Sequence, residues 1–193
     1  MNMLSRVFIC TAILLLLVLP LCSNPDLGLA QSKSPHGGKI DTSYDGFSHE
    51  TVISLQKMRV SCDGIKAMNK NACVSIAVSL HCLGVQAYNV NYVTLQLMFE
   101  TSAWDQRHAI DQRNLSVVVN NETLRVGQMK LLSQSVNESM TETLAITFPY
   151  DTFKKMADAQ FVEMQVGPSR FMLRNKNLDA LRDMDRRVVG MPK

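Results

Sequence analysis

Apolar and polar residues alternate with a period of two along much of this chain. Val74, Ile76, Val78 and Leu80 interleave with Ser75, Ala77, Ser79 and His81, and Val93, Leu95, Leu97 and Phe99 interleave with Thr94, Gln96 and Met98. Successive side chains of an extended strand point to opposite faces, so each run predicts a strand with one buried face. Residues 52–60 form an earlier apolar-rich segment, and residues 129–132 and 143–148 form two later ones. Asn120-Asn121 separates residues 115–119 from 122–126. Asparagine tolerates positive φ, so the pair predicts a two-residue hairpin turn. Gly167-Pro168 divides residues 161–166 from 170–173 and predicts a second hairpin.

Two stretches change to helical spacing. Asp151 stands where it can cap a short helix whose Phe153, Met156 and Ala157 share one face. Asn175 or Asn177 can cap a C-terminal helix carrying Leu178, Leu181, Met184 and Val188 on one stripe. The pattern contains no internal repeat. About seven to nine short strands separated by turn signals predict a mainly β protein, an antiparallel β-sandwich or open barrel. The C-terminal helix is expected to cover an open edge or end of it.

The N-terminus departs from this pattern. Arg6 precedes an almost wholly apolar run over residues 7–21, Pro20 and Pro25 break it, and Gly28-Leu29-Ala30 offers small residues before Gln31. Those features predict a signal peptide over residues 1–30. The run has about fifteen residues where a bilayer span needs about twenty, which weighs against the alternative of a retained anchor. After cleavage no further apolar run predicts a membrane span. Residues 31–50 are rich in Ser, Gly and Asp and read as a flexible polar lead. Residues 51–193 then form a single β-rich domain, secreted or periplasmic.

Composition narrows the function classes. The chain has 193 residues and a formal net charge of +3. Its cations are scattered along the sequence, so no basic face for nucleic acid is expected. With Cys10 and Cys22 in the leader, an oxidising compartment leaves Cys62, Cys73 and Cys82 for one disulfide and one thiol. A hairpin would bring Cys62 close to Cys73 and leave Cys82 about 30 Å away. The phases of Cys62 and Cys73 disagree, however, unless a bulge intervenes, and a parallel arrangement would favour Cys62–Cys82. Asn114, Asn121 and Asn137 each open a glycosylation triplet.

Candidate chemistry is sparse. No nucleophile elbow, phosphate loop or paired metal-ligand spacing occurs, so neither a cofactor nor a metal is expected. The densest functional vocabulary is Trp104, Asp105, Arg107 and His108, in a loop after a buried strand. An indole beside carboxylate and guanidinium groups suits a sugar, a peptide or an anion. The structural alternative packs Trp104 under the sheet and leaves its charged neighbours solvated.

Three blocks, YVTLQLMFETSAWD, RNLSVVVNNETLRVG and ETLAITFPYDTFKKMADAQFVEMQVGPSRFML running into NLDALRDM, carry a resemblance. Residues 93–184 resemble an uncharacterised family of exported bacterial proteins. Glu142 opens the third block, Gly167 ends its strand and an L-x-x-L-R helix follows. The resemblance implies a periplasmic or surface-associated β-domain and no activity, and it leaves the cysteines outside the matched blocks. The expected function is a non-enzymatic binding or envelope-structural module for an unknown protein or glycan of the cell envelope. The alternative is a hydrolase or enzyme inhibitor whose site assembles from distant strands.

Overall fold

A computed structural model of the chain describes residues 35–61, 73–101, 108–136 and 140–188. The segment expected to be a signal peptide, Cys62, the loop residues Trp104, Asp105 and Arg107, and Asn137 therefore lie outside the described residues. Among those described, ten strands form two antiparallel sheets, and two helices follow late in the chain. The mainly β reading holds, and neither sheet closes into a barrel.

The larger sheet has the order β1-β2-β3-β4-β8-β7. Its strands are β1 (Ile40–Asp45), β2 (Glu50–Ser61), β3 (Cys73–Leu83), β4 (Val90–Thr101), β7 (Lys130–Val136) and β8 (Met140–Phe148). The smaller sheet runs β10-β9-β5-β6, with β5 (Asn114–Val119), β6 (Glu122–Gln128), β9 (Val162–Val166) and β10 (Ser169–Leu173). The alternation read from the sequence is the inner face of the larger sheet. Ile53, Leu80, Val93 and Phe148 form one cross-strand row and are buried together. The smaller sheet contributes Leu115, Val117, Val162, Met164, Val166, Phe171 and Leu173 to the same core. Phe99 of β4 meets Phe171 of β10 edge-on, with ring centroids 6.1 Å apart, the favoured geometry for two quadrupoles.

Asn120 and Asn121 make the β5–β6 turn, with φ of 47° and 75°. Helix α1 (Tyr150–Asp158) and helix α2 (Asn175–Arg187) lay apolar stripes on the core through Phe153, Met156 and Ala157, and Leu178, Leu181 and Met184. Their caps differ from expectation. Asp151 lies within the first turn of α1, behind Pro149 at the cap position. Pro149 is extended there and its ring carries no acceptor, so the helix starts without a side-chain cap. Asn177 sits in the first turn of α2, accepts from the Arg174 backbone at 3.0 Å and donates to the Arg59 carbonyl at 3.2 Å. It therefore fastens the helix to β2 as well as closing its start.

Two regions required tertiary context. Residues 40–45 form β1, an edge strand paired with β2, where the sequence suggests a flexible lead. A strand ladder is made of backbone groups, so a polar segment can join an edge once a neighbour offers free donors and acceptors. Ile40 anchors it in the core, and buried His36 holds Asp183 of α2 at 3.3 Å. Strand β2 also shifts register against β3 between Leu55 and Met58, and again between Arg59 and Ser61. These bulges change which parity faces inward, so Leu55 and Val60 are both buried.

Candidate functional site

Glu142 and Ser169 are polar residues on the apolar phase of their strands. Glu142 shares the inner row of β8 with Met140, Leu144, Ile146 and Phe148, and Ser169 shares that of β10 with Phe171 and Leu173. A carboxylate and a hydroxyl in such positions need buried partners, because each carries a desolvation cost if left alone. His108 supplies both. Its Nδ1 lies 2.7 Å from Glu142 Oε2 and its Nε2 lies 2.8 Å from Ser169 Oγ. The His108 backbone N–H also donates to Glu142 Oε2, at 3.1 Å. Arg113 closes the group by donating through Nε to the His108 carbonyl at 3.0 Å and placing Nη2 3.7 Å from Glu142 Oε1.

The network lies between the two sheets. Ser169 is 0% exposed, and His108 and Glu142 are each 2% exposed. Phe99, whose ladder partner on β8 is Glu142, tilts against the imidazole with centroids 4.5 Å apart. Burial alone would push the Glu142 carboxyl up. The hydrogen bonds from the His108 ring and backbone, with the charges of His108 and Arg113, outweigh it and hold the carboxyl below its ordinary value. Nδ1 faces the Glu142 carboxylate and Nε2 faces the Ser169 hydroxyl, so one ring bridges both polar groups. The β9–β10 turn is fitted closely to this arrangement. Gly167 has φ of 51°, and a Cβ there would stand 2.8 Å from the Gln112 carbonyl and 3.5 Å from His108 Cδ2.

A second group that pairs a histidine with a glutamate and a hydroxyl lies on the outer face of the larger sheet. His81 Nδ1 is 3.2 Å from Glu50 Oε2, Tyr92 donates to the same oxygen at 3.3 Å, and the two rings stack at 4.3 Å. Burial and the Glu50 charge raise the Tyr92 hydroxyl above its ordinary value, so it stays a donor. Cys82 is a free, buried thiol raised by burial and by Glu50, which makes it unreactive. The alternative pairing Cys62–Cys82 is therefore not made.

Of the four loop residues picked out by the sequence, only His108 is described, and it is buried. Its partners Glu142 and Ser169 carry no motif. Their signal is one of phase: each falls on the buried parity of a strand, where an apolar residue is the norm. Among the described residues no cluster of His, Cys, Asp or Glu is suited to a metal ion, and no helix is long and apolar enough to cross a membrane. No family model, curated protein or solved structure matches this chain.

Proposed function

We propose that this chain is a non-enzymatic β-module of the secreted or periplasmic space, a binding or envelope-structural protein whose partner is a protein or glycan of the cell envelope. The observation that carries the reading is the closure of its most reaction-like group. Ser169 is fully buried, and Glu142 is already committed to a ring nitrogen, a backbone N–H and a guanidinium. In this reading His108 is a tie between β8 and β10, satisfying two polar groups where the sheets meet. A disulfide from Cys62 to Cys73 belongs to the same proposal. Ser61, which Cys62 follows in the sequence, pairs with Val74, which follows Cys73.

A second reading, a hydrolase, is favoured by one specific observation. The order Ser169 Oγ, His108 Nε2, His108 Nδ1, Glu142 Oε2 is that of a nucleophile, a base and an orienting acid. His108 would then take the hydroxyl proton as Ser169 attacks an ester or amide carbonyl. A fluorophosphonate probe decides between the two. The tie reading expects no labelling of Ser169 and a lower melting temperature for Ser169→Ala. Stoichiometric labelling that Ser169→Ala abolishes would establish the hydrolase instead. Crosslinking in the native envelope then addresses the binding role directly.

A further inference from the structure

The exposed large apolar side chains are not scattered evenly. Tyr44, Phe47, Leu83 and Val85 are half of the eight among the described residues; Phe47 and Val85 lie on two turns at one end of the larger sheet, and Tyr44 and Leu83 lie at the ends of the strands that enter them. These turns join β1 to β2 and β3 to β4, and they are fastened to each other. The Gly84 N–H donates to the His49 carbonyl at 2.8 Å, and Thr51 Oγ1 donates to the Gly84 carbonyl at 2.7 Å. Glu50 is the ladder partner of Leu83.

Phe47 is the extreme case, 100% exposed yet held in place. Asp45 accepts from the Phe47 backbone N–H at 2.9 Å and from Ser48 Oγ at 3.0 Å. Tyr44 Oη lies 3.2 Å from His49 Nδ1 across the base of the same turn. A fully solvated phenyl group gains nothing for folding. A turn ordered around it lowers the entropy lost when the ring enters a partner. Charge narrows what that partner is. Residues 44–50 and 83–89 contain Asp45 and Glu50 and no Lys or Arg. An anionic bilayer surface would repel such a tip, and a second copy would bring like charges together.

We propose that these two turns form a docking tip for a protein partner that receives Phe47 in an apolar pocket rimmed by Lys or Arg facing Asp45. The proposal rests on the binding-module reading and locates its interaction surface. A photoreactive phenylalanine analogue at position 47 of the full chain, irradiated in the native envelope, tests it against the same analogue replacing the exposed Gln134 on β7 at the sheet's far edge. The expected result is one defined protein adduct from position 47. Its mapped crosslink should fall in an apolar segment containing Lys or Arg. Asp45→Lys should reduce it at least tenfold, and a Lys→Glu or Arg→Glu exchange in the partner should restore it. An adduct from position 134 alone would overturn the tip and leave the binding module standing. No adduct from either position would overturn both. Crosslinks to lipid, to a second copy of this chain, or to a partner insensitive to Asp45→Lys would each overturn the tip as described. A circular dichroism melt unchanged by Asp45→Lys keeps its effect distinct from unfolding.

Discussion

The molecule holds two groups built from the same parts, a histidine, a glutamate and a hydroxyl, in opposite surroundings. His108, Glu142 and Ser169 lie sealed between the sheets, with the imidazole 2.7 Å from its carboxylate. His81, Glu50 and Tyr92 lie on the outer face, with the corresponding distance 3.2 Å and part of each charged side chain in water. Residue chemistry does not separate them; solvent does. A carboxylate that loses its partner on the outer face can be rehydrated, whereas one between the sheets is left with a bare desolvation cost. The inner group should dominate stability although both contain the same kinds of contact.

The largest expected effect comes from emptying the inner group from one side. His108→Leu should cost about 3–5 kcal/mol, because Glu142 remains buried without its ring partner. Chemical denaturation measures it, and a loss under about 1 kcal/mol would mean that water reaches the site. Replacing His108, Glu142 and Ser169 together by apolar residues of similar volume should recover most of that loss. Failure to recover would show that the network fixes the packing of the sheets beyond satisfying its own polar atoms.

Gly167→Ala should cost about 1–3 kcal/mol, since alanine is strained at positive φ and its Cβ would press on the Gln112 backbone. Gly84, also at positive φ but with open space around the Cβ position, supplies the control and should lose less. Acid sharpens the contrast further. The Glu142 carboxyl is held below the ordinary carboxylate value of 4.5, so its contribution is fully present above about pH 4.5. That contribution is lost as pH falls through the lowered value. The stability gap between the natural protein and Glu142→Gln should therefore narrow in acid, as read from denaturation midpoints between pH 7 and pH 3. A gap that widens would contradict the lowered carboxyl.

The smallest effect is expected outside. Glu50→Gln keeps an acceptor for His81 and Tyr92 and should change stability by less than about 1 kcal/mol. A loss as large as that of His108→Leu would erase the distinction between the two groups.

Much of the fold could be read before the structure because strand parity and helical spacing are local. The runs Val74–Leu80 and Val93–Phe99 name their buried faces directly, and Asn120-Asn121 names its turn through the positive φ that asparagine tolerates. Edge strand β1 could not be read in this way, because its bonds come from the backbone of β2 and its residues are mostly polar. The bulges of β2 were equally hidden, since an extra residue in a ladder is defined only by the strand opposite.

The candidate site follows the same division. His108 stood out in the sequence through charged neighbours, yet its role is set by residues 34 and 61 positions away along the chain. By itself the chain determined the strands over residues 143–148 and 170–173, while Glu142 and Ser169, just outside those expected spans, are set inward by the ladders of β8 and β10. Only the packing of one sheet on the other decided that a single imidazole answers both. Hydrogen bonding demands atoms within about 3 Å, and no local pattern carries a distance across the core.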